Sequence, residues 1–137
     1  MPKKKVLFIC THNSARSQMA EGILKALYPE RYEAYSAGTE PSEINPHAVA
    51  VMEEIGIDIS RQRAKSIQEF RDEMFDYVVT VCDRAKESCP IFPGRRIIHR
   101  SFPDPSPGRG REEDIVEGFR KVRDEIRDWI KSAFKNG

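Results

Sequence analysis

The stretch "VLFICTHNSARSQMAEG", Val6 to Gly22, begins as a strand and ends as a helix, and that junction decides the fold class. Lys5 to Cys10 is an almost unbroken apolar run, as expected for a strand buried on both faces of a parallel sheet. From Ser14 to Tyr28 the apolar residues Met19, Ala20, Ile23, Leu24 and Leu27 recur at helical spacing, and Pro29 ends the pattern.

The rest of the chain continues the alternation. "YEAYSAG" reads as a second strand. Asn45 caps a helix with Pro46 in its first turn, Val49, Met52 and Ile55 along its inner stripe and Gly56 at its close. "FDYVVTVC", Phe75 to Cys82, is a third buried strand and "RRIIH" a shorter fourth. Glu112 to Phe134 is the last helix, with Ile115, Phe119, Val122, Ile126, Ile130 and Ala133 on one face. These elements predict an α/β fold, a Rossmann-like four-stranded parallel sheet flanked by helices on both faces. A length of 137 residues suits one domain, spanning 1–137. Ligands of such sheets bind beyond the carboxyl ends of the strands, the rim where Cys10 and Cys82 are expected to finish theirs. The Pro/Gly-rich segment Pro103 to Glu112 reads as a mobile loop, since the helix after it has an apolar stripe to bury.

Charge narrows the function. Lys and Arg number 23 against 22 Asp and Glu, so the net charge of +1 predicts a soluble protein and makes no case for bulk nucleic-acid binding. "VLFIC" is far short of the roughly 18 residues of a membrane span, and "MPKKK" precedes too short an apolar run for a signal peptide. The expected location is the cytoplasm and the expected state a monomer. Three cysteines cannot all pair within one molecule, and a reducing compartment disfavours a structural disulfide framework.

Five residues, "THNSA", separate Cys10 from Arg16, and Ser17 follows. A loop of this size leading into a helix aims backbone N–H groups and the positive end of the helix dipole at one point, which suits an oxyanion. Arg16 adds a planar two-donor fork, and the same donors favour a thiolate at the base of the loop. A buried strand-end cysteine and a solvated helix arginine also satisfy the bare pattern. The strand before, the helix after and Ser17 alongside favour the chemical reading, in which the loop binds a phosphate-shaped anion and the sulfur attacks it.

With these residues the chain resembles the low-molecular-weight protein tyrosine phosphatase superfamily, and more closely its branch of thioredoxin-coupled arsenate reductases. "YSAGTEP", "NPHAV", "IGIDIS", "VVTVCDRAKESCP" and "SFPDP" continue the resemblance in order along nearly the whole chain. The resemblance implies an oxyanion-binding loop of Thr11, His12, Asn13, Ser14, Ala15, Arg16 and Ser17. Cys10 is then the nucleophile, Arg16 the oxyanion clamp, Asn13 the residue that holds the strained loop, and Ser17 a hydrogen-bond donor to the thiolate. Asp104, in "PDP", is then the general acid, although an Asp-Pro pair is also a common turn former.

"CDRAKESC" places Cys82 and Cys89 where the reductases of this branch carry a redox pair. The implied relay has Cys10 attack arsenate, Cys82 attack the Cys10 sulfur to release arsenite, and Cys89 attack Cys82. The resulting disulfide is left for thioredoxin, so no bound cofactor is implied. Two departures stand out. "HNSAR" has Ala15 where many relatives have a further cysteine and His12 where they have glycine. A potassium site that some reductases build from Asn13, Glu21, Ser36 and an acidic residue has Lys65 in the fourth place here, so the set is a cation-site remnant with no metal expected. The competing reading is a phosphatase that hydrolyses phosphotyrosine or small phosphoesters through a Cys10 phosphocysteine. An oxyanion sensor without catalysis is the third.

Overall fold

Strand β1, Lys4–Cys10, is an inner strand because nothing after its first residues asks for water: Val6, Leu7, Phe8 and Ile9 are fully buried. The structure, a computed structural model, describes residues 2–82, 92–105 and 110–135. β1 pairs in parallel with β2 (Tyr32–Gly38) on one side and β3 (Tyr77–Thr80) on the other. β4 (Arg96–His99) pairs in parallel with β3, giving the order β2-β1-β3-β4.

The two-residue period of β1 divides the core. Val6, Phe8 and Cys10 pack into one cluster with α1 (Arg16–Leu27), α2 (Pro46–Glu53) and α3 (Glu112–Phe134). Leu7 and Ile9 face the other way, toward Phe70, Phe75, Val78 and Phe92, where a short 3-10 helix over Ile67–Phe70 closes the sheet. Among the described residues no helix is long and apolar enough to cross a membrane.

Four details differ from the sequence reading, each for a local reason. α1 starts at Arg16 rather than Ser14, because Asn13 takes a positive φ of 51° that a right-handed helix does not use. On α2 the buried residues are Ala48, Val51 and Met52. Val49 and Ile55 are only part-buried, Ile55 lying in the turn that Gly56 closes with a φ of 79°. β3 stops at Thr80, so Cys82 lies beyond the strand: Val81 N still donates to Ile9 O at 2.9 Å, but β1 then turns away into its loop. On α3, Ala133 is exposed and Phe134 fills the inner place, its ring edge-on to Phe8, Tyr32, Tyr77 and Trp129.

An ion cluster holds α2 to α3. Buried Arg123 donates from Nη1 to Val51 O and to Glu54 Oε1, both at 2.8 Å, while Arg120 grips Glu54 with its fork. Hydrogen bonds from Arg120, then from Arg123, bring the Glu54 carboxyl down to a pKa of about 2. The clasp bears on the rim of the sheet because the N-cap of α2, Asn45, donates its N–H to Ser14 O at 2.9 Å, inside the loop after β1.

Candidate active site

Cys10 is the last residue of β1 and Arg16 the first of α1, so the loop between them must turn back over the sheet rim. It curls around a pocket of about 20 Å³ lined by Cys10, His12, Ser14, Ala15, Arg16 and Asp104. The floor is buried, with Cys10 at 3% exposure and Arg16 at 4%. At its helix end the loop meets the start of α1, whose N-cap is Ala15, a residue with no side-chain acceptor, and whose first turn holds no acidic residue. The N–H groups that a Ser or Asp cap would have taken are left for an anion.

The loop's shape is over-determined. Asn13 is fully buried in its left-handed conformation, which costs of order 1–3 kcal/mol for a residue other than glycine. Hydrogen bonds from three directions hold it there: Asn13 Oδ1 accepts from Lys65 N at 2.8 Å and from Gln18 Nε2 at 2.9 Å, and its carbonyl accepts from Gln18 Nε2 at 2.9 Å. Asn13 Nδ2 donates to Ser17 Oγ at 2.8 Å, and Ser17 Oγ lies 2.8 Å from Cys10 Sγ. With its oxygen already accepting from Asn13, the Ser17 hydroxyl has its own proton to direct at the sulfur. Gly38 pairs with Cys10 in the ladder, and a Cβ there would stand 2.5 Å from Thr11 O and 2.9 Å from Asn13 N. Only glycine lets β2 lie so close to the loop.

Asp104 reaches this site from the segment after β4. Arg16 Nη1 donates to Phe102 O at 3.3 Å, and Arg16 Nη2 is 3.7 Å from Asp104 Oδ2. Cys10, Arg16, Ser17 and Asp104 therefore converge as the sequence suggested. Cys82 is fully buried in the same apolar cluster as Cys10. Cys82 is disulfide-bonded, whereas Cys10 is a free thiol. Cys89, with the polar stretch before it, lies outside the described residues, as do positions 106–109 of the loop after Asp104.

The suspected cation remnant is one connected cluster. Ser36 Oγ donates to Glu21 Oε1 at 2.5 Å, Lys65 Nζ is 3.5 Å from the same oxygen, and Lys65 Nζ donates to Arg63 O at 2.8 Å. Burial pushes the Lys65 ammonium below its ordinary pKa, against the attraction of Glu21. Lys65 thus occupies, with its own charge, the space between a buried carboxylate and a carbonyl. The sequence reading missed Gln18, Arg63 and Gly38 as loop supports. Gln18 left only a faint signal, a polar side chain among the residues that α1 buries.

A buried thiol under a loop that a helix N-terminus and a guanidinium both face is a site for a tetrahedral oxyanion. The chain belongs to the low molecular weight phosphotyrosine protein phosphatase family, whose model matches residues 5–136. It is 44% identical over 138 positions to the arsenate reductase of Halalkalibacterium halodurans, covering 100% of this chain and 99% of that one. A solved arsenate reductase in the phosphate binding state superposes with a TM-score of 0.83 at 33% identity, covering 97% of this chain and 98% of the other. The thioredoxin-dependent arsenate reductase of Corynebacterium glutamicum gives a TM-score of 0.66 at 30% identity, covering 99% of this chain and 64% of that longer one.

Proposed function

We propose that this protein reduces arsenate to arsenite by a cysteine relay recharged by thioredoxin. The Cys10 thiolate attacks arsenic in the pocket; a sulfur–arsenic bond forms, an arsenic–oxygen bond breaks, and the oxygen leaves as water with a proton from Asp104. Arg16 and the N-terminus of α1 hold the remaining oxygens. Cys82 then attacks the Cys10 sulfur, and the electron pair of the sulfur–arsenic bond passes to arsenic, which departs as arsenite. Cys89 attacks Cys82, freeing Cys10 and leaving a Cys82–Cys89 disulfide that takes two electrons from the thioredoxin dithiol. The thiols supply every electron, so the reading needs no bound cofactor, one chain suffices as a monomer, and a reducing cytoplasm is the natural setting.

The observation that supports this reading is a second cysteine, Cys82, fully buried in the same cluster as the free Cys10 thiol under the oxyanion loop. A phosphatase needs the first cysteine alone. Arg16 beside Asp104 does suit phosphoester cleavage, and a weaker side activity on aryl phosphates follows from that pair. The test is arsenate-dependent oxidation of a thioredoxin and NADPH-coupled reductase system, run beside hydrolysis of an aryl phosphate. Turnover with arsenate that exceeds ester hydrolysis supports the reductase, and ester hydrolysis without arsenate turnover removes it.

A further inference from the structure

We propose that His12 sets the preference for a free oxyanion over an ester, by hydrogen-bonding the one oxygen of the bound anion that an ester would carry as its bridging atom. The proposal rests on the oxyanion chemistry above and not on the cysteine relay. His12 is exposed and is one of the residues that line the same pocket as buried Cys10 and Arg16.

The ring is oriented. His12 Nδ1 lies 3.0 Å from Glu40 O, and since a carbonyl oxygen has no proton to give, Nδ1 is the donor. The partner segment is itself fixed to the loop: Glu40 N donates to Thr11 O at 2.9 Å and Ser42 N to His12 O at 3.1 Å. Nδ1 is therefore committed, and Nε2 has no hydrogen-bond partner among the described residues. Neutral His12 accepts at Nε2, and protonated His12 donates there.

In-line attack from the Cys10 sulfur puts the departing oxygen on the far side of the anion, toward the mouth. In free arsenate or phosphate that oxygen is O⁻ or OH, and one proton lies between it and Nε2 in either pairing, donated by imidazolium or by the oxyanion. In an ester the same oxygen bears carbon and has no proton to share. Its substituent must also leave the pocket past the residues that line it, His12 among them.

Calorimetric titration of inorganic phosphate and of phenylphosphonate into wild type, His12→Gly and His12→Gln tests this without relying on turnover. His12→Gly is expected to weaken phosphate binding by about 10- to 100-fold, the worth of one hydrogen bond to a charged group, and to leave phenylphosphonate binding equal or tighter. His12→Gln, whose amide nitrogen can still donate, should recover part of the lost affinity. Unchanged phosphate affinity in His12→Gly overturns the proposal, as does equal weakening for the two ligands or a wild type that does not bind phosphate. Failure of wild type to oxidise thioredoxin with arsenate would instead sink the reductase reading and leave these titrations standing.

Discussion

The two segments that meet at the pocket are held in opposite ways. The loop from Cys10 to Ser17 is knotted into the interior: Asn13 and Ser17 are fully buried, and Asn13 is hydrogen-bonded to Gln18, to Lys65 and to Ser17. In the segment with Asp104 a buried ring is one anchor. Phe102 is fully buried, edge-on to Trp129 at 6.2 Å and stacked under Arg100 at 4.5 Å, with its N–H donating to Val81 O at 3.2 Å. Two residues on, the Asp104 side chain is 33% exposed and stands 3.7 Å from Arg16 Nη2. The difference teaches a division of labour. The loop that faces the anion is buried and fixed before a ligand arrives, whereas the Asp104 side chain beside it is part-exposed.

That contrast can be broken at either end. The largest effect is expected from Cys10→Ser, which should abolish arsenate reduction and aryl-phosphate hydrolysis together, because the loop does not ionise a serine hydroxyl. Retained turnover in either assay would remove Cys10 from the chemistry. Arg16→Lys should follow, with a loss of about 10²- to 10³-fold in both reactions, since a point charge cannot reproduce a planar fork. Near-normal kinetics would show that no two-donor clamp operates. Asp104→Asn should divide the substrates where the loop variants do not. Hydrolysis of esters with poor leaving groups should slow by about 10²- to 10⁴-fold and that of activated aryl esters much less. An equal loss for both would make Asp104 a structural turn residue.

The support beneath the loop sharpens the same comparison with the smallest effect. Because the Lys65 ammonium already stands 3.5 Å from Glu21, replacing potassium by sodium at constant ionic strength should change neither activity nor melting temperature. A potassium-specific rise in melting temperature would reveal a cation bound in the folded state after all.

What the sequence made legible follows the same division. β2 falls on "YEAYSAG" and α3 on Glu112–Phe134 as read, because period and capping are local properties that neighbouring residues write. The C-x5-R loop was legible for the same reason, strand and helix being adjacent in the chain. The start of α1 was placed early, since nothing in "NSAR" announces that Asn13 leaves helical geometry, and β3 was read too long, since its end depends on where β1 turns away. Gln18, Arg63 and Gly38 were invisible as loop supports because their partners are remote. Gln18 reaches Arg63 O and Gly38 reaches Lys65 O only once the chain has folded. Sequence placed Asp104 beside the loop by resemblance alone; the Arg16 contact spans 88 positions (104 minus 16) and no local pattern encodes it.

The central claim is that Cys10, Cys82 and Cys89 together deliver two electrons to arsenic, the oxidation passing from Cys10 to Cys82 and then to Cys89, and the Cys89→Ser variant tests it most directly. Mixed with excess arsenate and thioredoxin, it should release a single equivalent of arsenite and then stop, held as a Cys10–Cys82 disulfide, while before exposure to arsenate it should still hydrolyse an aryl phosphate through Cys10. Continued arsenite release over many cycles by Cys89→Ser would contradict the relay and favour a site in which Cys10 alone carries the chemistry.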